Sequence, residues 1–589
     1  MGSAFAQQNG PAADEPIEPG IFHLHRLEGY LEFAGRVEQT RVRSRDSRGR
    51  TTGRQTNRDR IFEETFGLRF DADILHPALM QMEGQLSFGL TQSRFEEQRR
   101  VGGETDSDGG YLTTYDLRLN LLSAKTISGS VYASRSDDRI ARRFLPSLRE
   151  KRNRWGTSWV FKHKKFPIRL TYEQSDTDRT GNRDPFNDEH LGDYTLRLEG
   201  QWLISDSQTL DYSYEHGRLQ QEYQGSNFDF DTRHDEFILR HDLNFGAENR
   251  HNLHTLLRYR TEQGDLARDL LEFGPQLTLQ HNKNLSTRYT YQFYQEEFDR
   301  LKIDSHRADF QLVHQLFTNL TTTYDLFGLH EKTEDDLETY QWGTGIDFQY
   351  NRKNPYGRLR ANLSYRFDST RYDGDDGLRF VSNEAGTFRD PRPIRLLQRN
   401  VQPQSLVVTD ITGTTFYSAG LDYFPSKLGD RLLLARNPSG RIADDDTVLI
   451  DYLYRTPTDG QLDNHRIDFG LAQDFSNGLT PYYDLQYRIQ EVDHSTGVPL
   501  EEDRLERHRI GLKVRRDRWG ASAEYEIFDD SIEPFVAFHL NGDLDVLRKP
   551  GHTLGMTAAF SRFLFEGGFD DRNVSLLDLG MHHRYTLSR

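Results

Sequence analysis

A chain of 589 residues with a net charge of −17 and no cysteine is too acidic for nucleic-acid binding as its main task. It also excludes disulfides, thiolate metal sites and haem attached through Cys-x-x-Cys-His. Hydrophobic residues at 35% and charged residues at 28% would suit a solvated chain, yet 28 Tyr and 37 Phe are too many for one that buries nothing.

In chain order, Ala4-Phe5-Ala6 fits the small-x-small pattern of a secretory cleavage site, without the charged and apolar regions that precede one. Residues 1–20 are therefore expected to be a flexible tail left by signal cleavage, or a scar of cloning. A first strand is expected through Leu27, Gly29, Leu31, Phe33, Gly35 and Val37, followed by a basic polar loop over Arg45–Arg58. Then comes the clearest unit. Phe62, Phe66, Leu68, Phe70, Ala72 and Ile74 alternate with Glu63, Thr65, Gly67, Arg69, Asp71 and Asp73. After the turn His76-Pro77-Ala78, Met80, Met82, Leu86, Phe88 and Leu90 alternate with Gln81, Glu83, Gln85 and Ser87. A period of two predicts a hairpin with one apolar and one polar face.

The pattern repeats. Tyr115, Leu117, Leu119 and Leu121 alternate with Asp116, Arg118 and Asn120, and Ile127–Ala133 follows. A loop over Arg142–Arg152 leads to Trp155–Phe161 and Ile168–Tyr172. Leu196, Leu198 and Trp202 oppose Arg197, Glu199 and Gln201, and Leu359, Ala361, Leu363 and Tyr365 alternate with Arg358, Arg360 and Arg366. Turns at Glu248-Asn249, Asn282-Lys283-Asn284, Thr318-Asn319 and Asn354-Pro355 carry residue types suited to tight turns. The rhythm stops over 373–456, where short apolar runs such as Leu432-Leu433-Leu434 and Val448-Leu449-Ile450 predict a small inserted β module, because structureless segments of that length are uncommon. It resumes from Ile467 to Leu587.

No run approaches the length of about 18 apolar residues that a membrane helix needs. The expected fold is all-β: a transmembrane antiparallel up-and-down β-barrel of about 24 strands (22–26), made of 21–372 and 457–589, with the 373–456 module in an extracellular loop. A soluble multi-stranded β protein also uses alternating strands and is the competing architecture. Long strands, connections alternating between short and long, and the absence of a fixed repeat motif favour the barrel.

From Leu27 to about Phe367, and again from Ile467, the chain resembles large Gram-negative outer-membrane β-barrels. It departs from them in ending Tyr585-Thr-Leu-Ser-Arg589 without a terminal aromatic. The resemblance implies a place in the cell outer membrane, contact with its lipid and lipopolysaccharide, and periplasmic termini.

Candidate chemistry is thin, and neither enzyme activity nor a cofactor or metal is expected. His23 and His25 share a face but lack a third ligand. His582 and His583 point to opposite faces. The acidic runs Asp444-Asp445-Asp446 and Asp373/Asp375/Asp376 lack EF-hand order, and Ser305-His306 is no more than chance juxtaposition. The basic stretches Arg45–Arg60 and Arg139–Arg154 are solvated loops or lipopolysaccharide contacts. The polar faces supply the candidate lumen lining: Glu63, Arg69, Asp71, Asp73, Gln81, Glu83, Gln85, Asp116, Arg118, Arg197, Glu199, Arg358, Arg360 and Arg366. A lumen this wide is usually occupied. The expected function is a conduit for a polymer such as an exopolysaccharide, or for bulky solutes, working with export machinery. The alternative is a sheath around a periplasmic multihaem cytochrome that carries electrons across the membrane.

Overall fold

In the computed structural model the described residues are 22–46, 51–99, 102–140, 148–181, 188–223, 229–265, 267–298, 301–334, 337–374, 378–413, 415–437, 440–498, 500, 502–531, 534–549, 552–565 and 572–588. The expected tail over 1–20 lies outside them. The alternating segments are strands. The first group is β1 (Phe22–Asp46), β2 (Thr51–Ile74), β3 (Met80–Arg99), β4 (Gly103–Leu121), β5 (Ile127–Ile140) and β6 (Leu148–Phe161). Next come β7 (Ile168–Thr180), β8 (Glu189–Ser205), β9 (Gln208–Tyr223), β10 (Asp229–Phe245), β11 (His251–Gly264) and β12 (Arg268–Asn282). They are followed by β13 (Leu285–Phe298), β14 (Leu301–Phe317), β15 (Leu320–Thr333), β16 (Glu338–Asn354) and β17 (Gly357–Asp373).

The insertion holds β18 (Leu378–Thr387), β19 (Ile394–Arg399), β20 (Val407–Asp410), β21 (Phe416–Tyr417), β22 (Tyr423–Leu428), β23 (Arg431–Arg436) and β24 (Thr447–Arg455). The last group is β25 (Asp459–Phe475), β26 (Leu479–Thr496), β27 (Asp503–Arg515), β28 (Trp519–Asp530), β29 (Phe535–Lys549), β30 (His552–Phe565) and β31 (Arg572–Ser588).

Twenty-four of these strands form one antiparallel sheet. β1 pairs with β2 on one side and β31 on the other, and β17 pairs with β25 across the insertion. Every strand of the ring has two neighbours, so the sheet closes on itself without a free edge. Phe22 pairs with Ile74 beside the tight turn into β3, and Ser588 pairs with Tyr30, so both ends of the described chain lie at the tight-turn end.

Two stretches expected as loops are strand wherever they are described: β1 runs to Asp46 and β2 starts at Thr51, and β6 starts at Leu148. The reason is visible in β1. Its outward apolar positions stop at Val37, and Gln39, Arg41 and Arg43 continue the same parity. A strand of 25 residues reaches ~80 Å at ~3.3 Å per residue, whereas crossing a bilayer takes about 9–11 residues. The barrel wall therefore rises well past its apolar belt, toward the end that carries the insertion. There the sequence is polar at both parities, so the alternation that marks a strand is lost.

The belt itself circles the molecule. Leu27 is 60% exposed, Phe88 65%, Trp202 51%, Trp342 53% and Ile510 59%. A closed ring of aromatic and aliphatic side chains is unfavourable in water and favourable in hydrocarbon. The fold is that of a transmembrane barrel.

Inside, large rings lean over glycines on the adjacent strand. A Cβ built on Gly156 of β6 would lie 2.6 Å from the Tyr132 hydroxyl and 2.5 Å from the backbone oxygen of Tyr172, a neighbour that cannot swing away. Tyr132 donates to Glu173 from this position. Gly156→Val is expected to cost about 1–3 kcal/mol through overpacking, read as an earlier urea-unfolding midpoint in micelles. An unchanged midpoint would show that the ring and the β7 backbone both give way without cost.

Candidate functional site: the inner wall and its inserted module

Register carries the inner face around the barrel. Thr195 shares parity with Glu189, Arg197 and Glu199 on β8. It pairs with Glu173, which pairs with Gly156, then Tyr132, Arg118, Glu83 and Asp71 in turn across β7 to β2. Residues opposite one another in a ladder share a face. Glu63, Arg69, Asp73, Gln81, Gln85 and Asp116 have the same parity as members of this row, so these residues belong to one continuous face.

Short-range polar contacts hold many of them. Arg69 Nε donates to Gln85 Oε1 at 3.1 Å and its guanidinium lies 4.9 Å from the Tyr30 ring. Asn120 Nδ2 donates to Glu83 at 3.4 Å, and Arg26 lies 4.0 Å from Asp71. Arg197 pairs with Glu215 and lies 3.9 Å from Glu199. Arg360 pairs with Asp474 at 2.8 Å, while Arg358 stands opposite Asp474 in the register.

The insertion is a folded unit. β18, β24, β20 and β21 form one sheet, and β19, β23 and β22 form another. Phe388, Leu396, Leu432, Leu434, Ile442, Val448, Ile450 and Tyr452 are buried between them. Leu378 pairs with Arg455, so the module's ends meet, and Asp373 pairs with Asp459, so they spring from a hairpin position of the barrel. The expectation of a small inserted β module agrees with this. The module is folded back against the inner wall.

The module touches inward-facing residues on many strands. Arg441 pairs with Glu189 of β8 at 2.6 Å. Gln221 of β9 accepts from Phe416 N at 2.9 Å and donates to its carbonyl at 3.0 Å. Phe416 stacks on Phe230 of β10 at 4.2 Å, and Phe380 on Phe298 of β13 at 4.5 Å. Arg379 reaches Glu331 of β15 at 3.5 Å. Across the lumen, Arg392 meets Glu526 of β28 at 3.4 Å, Arg395 meets Asp530 at 3.0 Å, and Arg431 meets Asp503 of β27 at 3.3 Å. The module thus presents arginines to wall carboxylates. One pair is reversed, with Arg268 of β12 lying 3.6 Å from Asp451.

Burial tells on these groups. It pushes the Arg431 guanidinium down to about 10, helped by the nearby Arg399 and Arg395. It also lowers Arg392 despite Glu526 beside it, and raises the Asp451 carboxyl to about 6 despite Arg268. Desolvation outweighs the opposing partners at each site.

The remaining sequence candidates are accounted for locally. His25 Nε2 lies 2.5 Å from Asp73, so it serves a carboxylate. Asp444 and Asp446 accept backbone N–H groups from Asp390 and Ala443 at 2.8 and 2.7 Å, while Asp445 lies 3.4 Å from Arg389. His306 bonds the outward Tyr291 hydroxyl at 2.8 Å, placing it on the opposite face from Ser305. Asp375 and Asp376 lie outside the described residues, as do the side chains of His582 and His583. A group not foreseen from sequence brings Glu524, Glu526 and His539 within 4.8 Å. Arg392 and Arg507, the latter at 2.7 Å, already match the Glu526 charge.

No known protein-family model matches this chain, and neither does any curated protein sequence. Among solved structures it is similar to the siderophore receptor PirA of Pseudomonas aeruginosa, at 10% identity and a TM-score of 0.38 over 94% of this chain and 80% of that one. It is also similar to the alcaligin outer-membrane receptor FauA of Bordetella pertussis, at 10% and 0.32 over 94% and 76%. A third is OccK7 (OpdD) of Pseudomonas aeruginosa, at 10% and 0.26 over 73% and 99%.

Proposed function

We propose that this protein is an outer-membrane conduit for a polymer or other bulky solute, which passes a module folded into the barrel mouth. The tight-turn end, with both ends of the chain, faces the periplasm, and the tall polar wall faces out toward lipopolysaccharide. The observation that carries the reading is the closed ring of 24 strands whose inner wall holds the module by side chains from β8 through β28. A lumen that wide would breach the envelope if left open, and a folded occupant on charged anchors answers that need.

Reconstitution of the purified chain in planar bilayers tests it. Small, charge-selective conductance steps are expected, growing when the module is removed. Silence from both forms would overturn the reading. So would stoichiometric co-purification of a haem protein under mild detergent, since that is what a cytochrome sheath requires.

A further inference from the structure

Between the module and the wall of β12 to β17, β25 and β26 lies a cavity of about 780 Å³. Eight arginines and three aspartates line it, without a lysine or a glutamate. This is an excess of positive charge in a chain whose net charge is −17.

Three of the arginines form a row. Arg366 on β17 stands directly opposite Arg466 on β25, and Arg466 stands directly opposite Arg488 on β26. Like charges placed opposite across strands are destabilising. Two members are compensated, Arg466 by Asp468 at 2.7 Å and Arg488 by Asp503 at 2.8 Å. Arg366 has no ion-pair partner among the described residues. From the module side, Arg399 lines the same cavity with its side chain only 9% exposed; it pairs with Asp430 at 2.9 Å, and its Nε is buried without a hydrogen-bond partner. The Nε of Arg488 is likewise buried and unmatched. Buried donors left unsatisfied are costly, and guanidinium donors are shaped for carboxylate and phosphate oxygens.

We infer that this cavity binds a solute bearing several oxyanion groups in series, carboxylate or phosphate, with Arg366, Arg466 and Arg488 of the wall on one side and Arg399 of the module on the other. Neighbouring strands are about 4.8 Å apart, so the row offers cations at a regular short interval. That arrangement suits repeated charges along an extended ligand better than one isolated ion. Binding stands on the cavity alone, and its use as the selectivity point rests on the conduit reading.

Calorimetric titration of the full-length protein in micelles at low ionic strength tests the inference, with hexagalacturonate, tripolyphosphate and neutral maltohexaose as probes. One or both anions are expected to bind, more weakly as salt rises, and the neutral hexamer not. Which anion binds identifies the source of the charge. Arg366→Gln is expected to weaken the bound anion by roughly tenfold or more while leaving the free protein at least as stable, because it relieves the repulsion with Arg466. Arg504→Gln, an exposed change outside the cavity, is expected to leave the affinity unchanged. Equal affinity for Arg366→Gln and the parent protein would overturn the inference, as would equal losses in both variants or anions binding no better than maltohexaose. Anion binding with silent bilayers would sink the conduit and leave the cavity standing; conductance without anion binding would do the reverse.

Discussion

Replacing residues 374–458 by a short Asn-Gly turn is expected to leave the barrel intact and raise its single-channel conductance several-fold. The first half follows from register: Asp373 and Asp459 are already paired, so a tight turn can join β17 to β25 without moving either strand. No barrel strand depends on the module for a neighbour, since all 24 pair within the ring. The second half follows from position, because the module's anchors lie on inward-facing side chains across the lumen from one another, from Glu189 to Glu526. Conductance of the shortened chain equal to that of the parent would show that the module does not obstruct the path. Loss of heat-resistant mobility on a gel would show instead that the barrel needs it.

Asp503→Asn is expected to loosen the module from the wall. This carboxylate, 1% exposed, sits among Arg488 at 2.8 Å, Arg431 at 3.3 Å and Arg395 at 3.5 Å, and accepts from Ser531 at 2.6 Å. Removing one partner of a buried ion cluster leaves the others uncompensated, a cost of about 3–5 kcal/mol. Arg431 and Arg395 lie on β23 and β19, so amide hydrogen exchange there should quicken by roughly 100-fold or more. Arg504→Gln, next in sequence but with a side chain 62% exposed beside Glu506, should change it by less than about 1 kcal/mol equivalent. Equal protection in the parent and in Asp503→Asn would mean that the cluster does not hold the module.

How much of this could be read from sequence depended on where each segment lies. Phe62–Leu90 announces itself because one face meets lipid and the other the lumen, and the same holds for Tyr115–Leu121 and Leu359–Phe367. Arg45–Arg58 and Leu148–Arg152 do not, because above the belt both faces are polar and the period vanishes although the strand continues. The module was legible as β structure from its short apolar runs, yet its direction was not. Arg441 and Glu189 are 252 positions apart, and nothing local to either says that they meet. The arginine row was hidden in the same way: Arg366 stood out as a polar-face residue, but Arg466 and Arg488 become its neighbours only once β25 and β26 are set beside β17.

The place of the insertion in the chain also constrains assembly. Some of the module's wall partners, on β8 to β15, are made before it, and others, on β27 and β28, after it. As strands are added in order, the module can dock on the early wall while its arginines 392, 395 and 431 still wait for Glu526, Asp530 and Asp503. Seating is completed only once β27 and β28 are in place. Docking therefore starts before the ring closes and ends late, and a chain stalled before β27 would hold a module anchored on one side only.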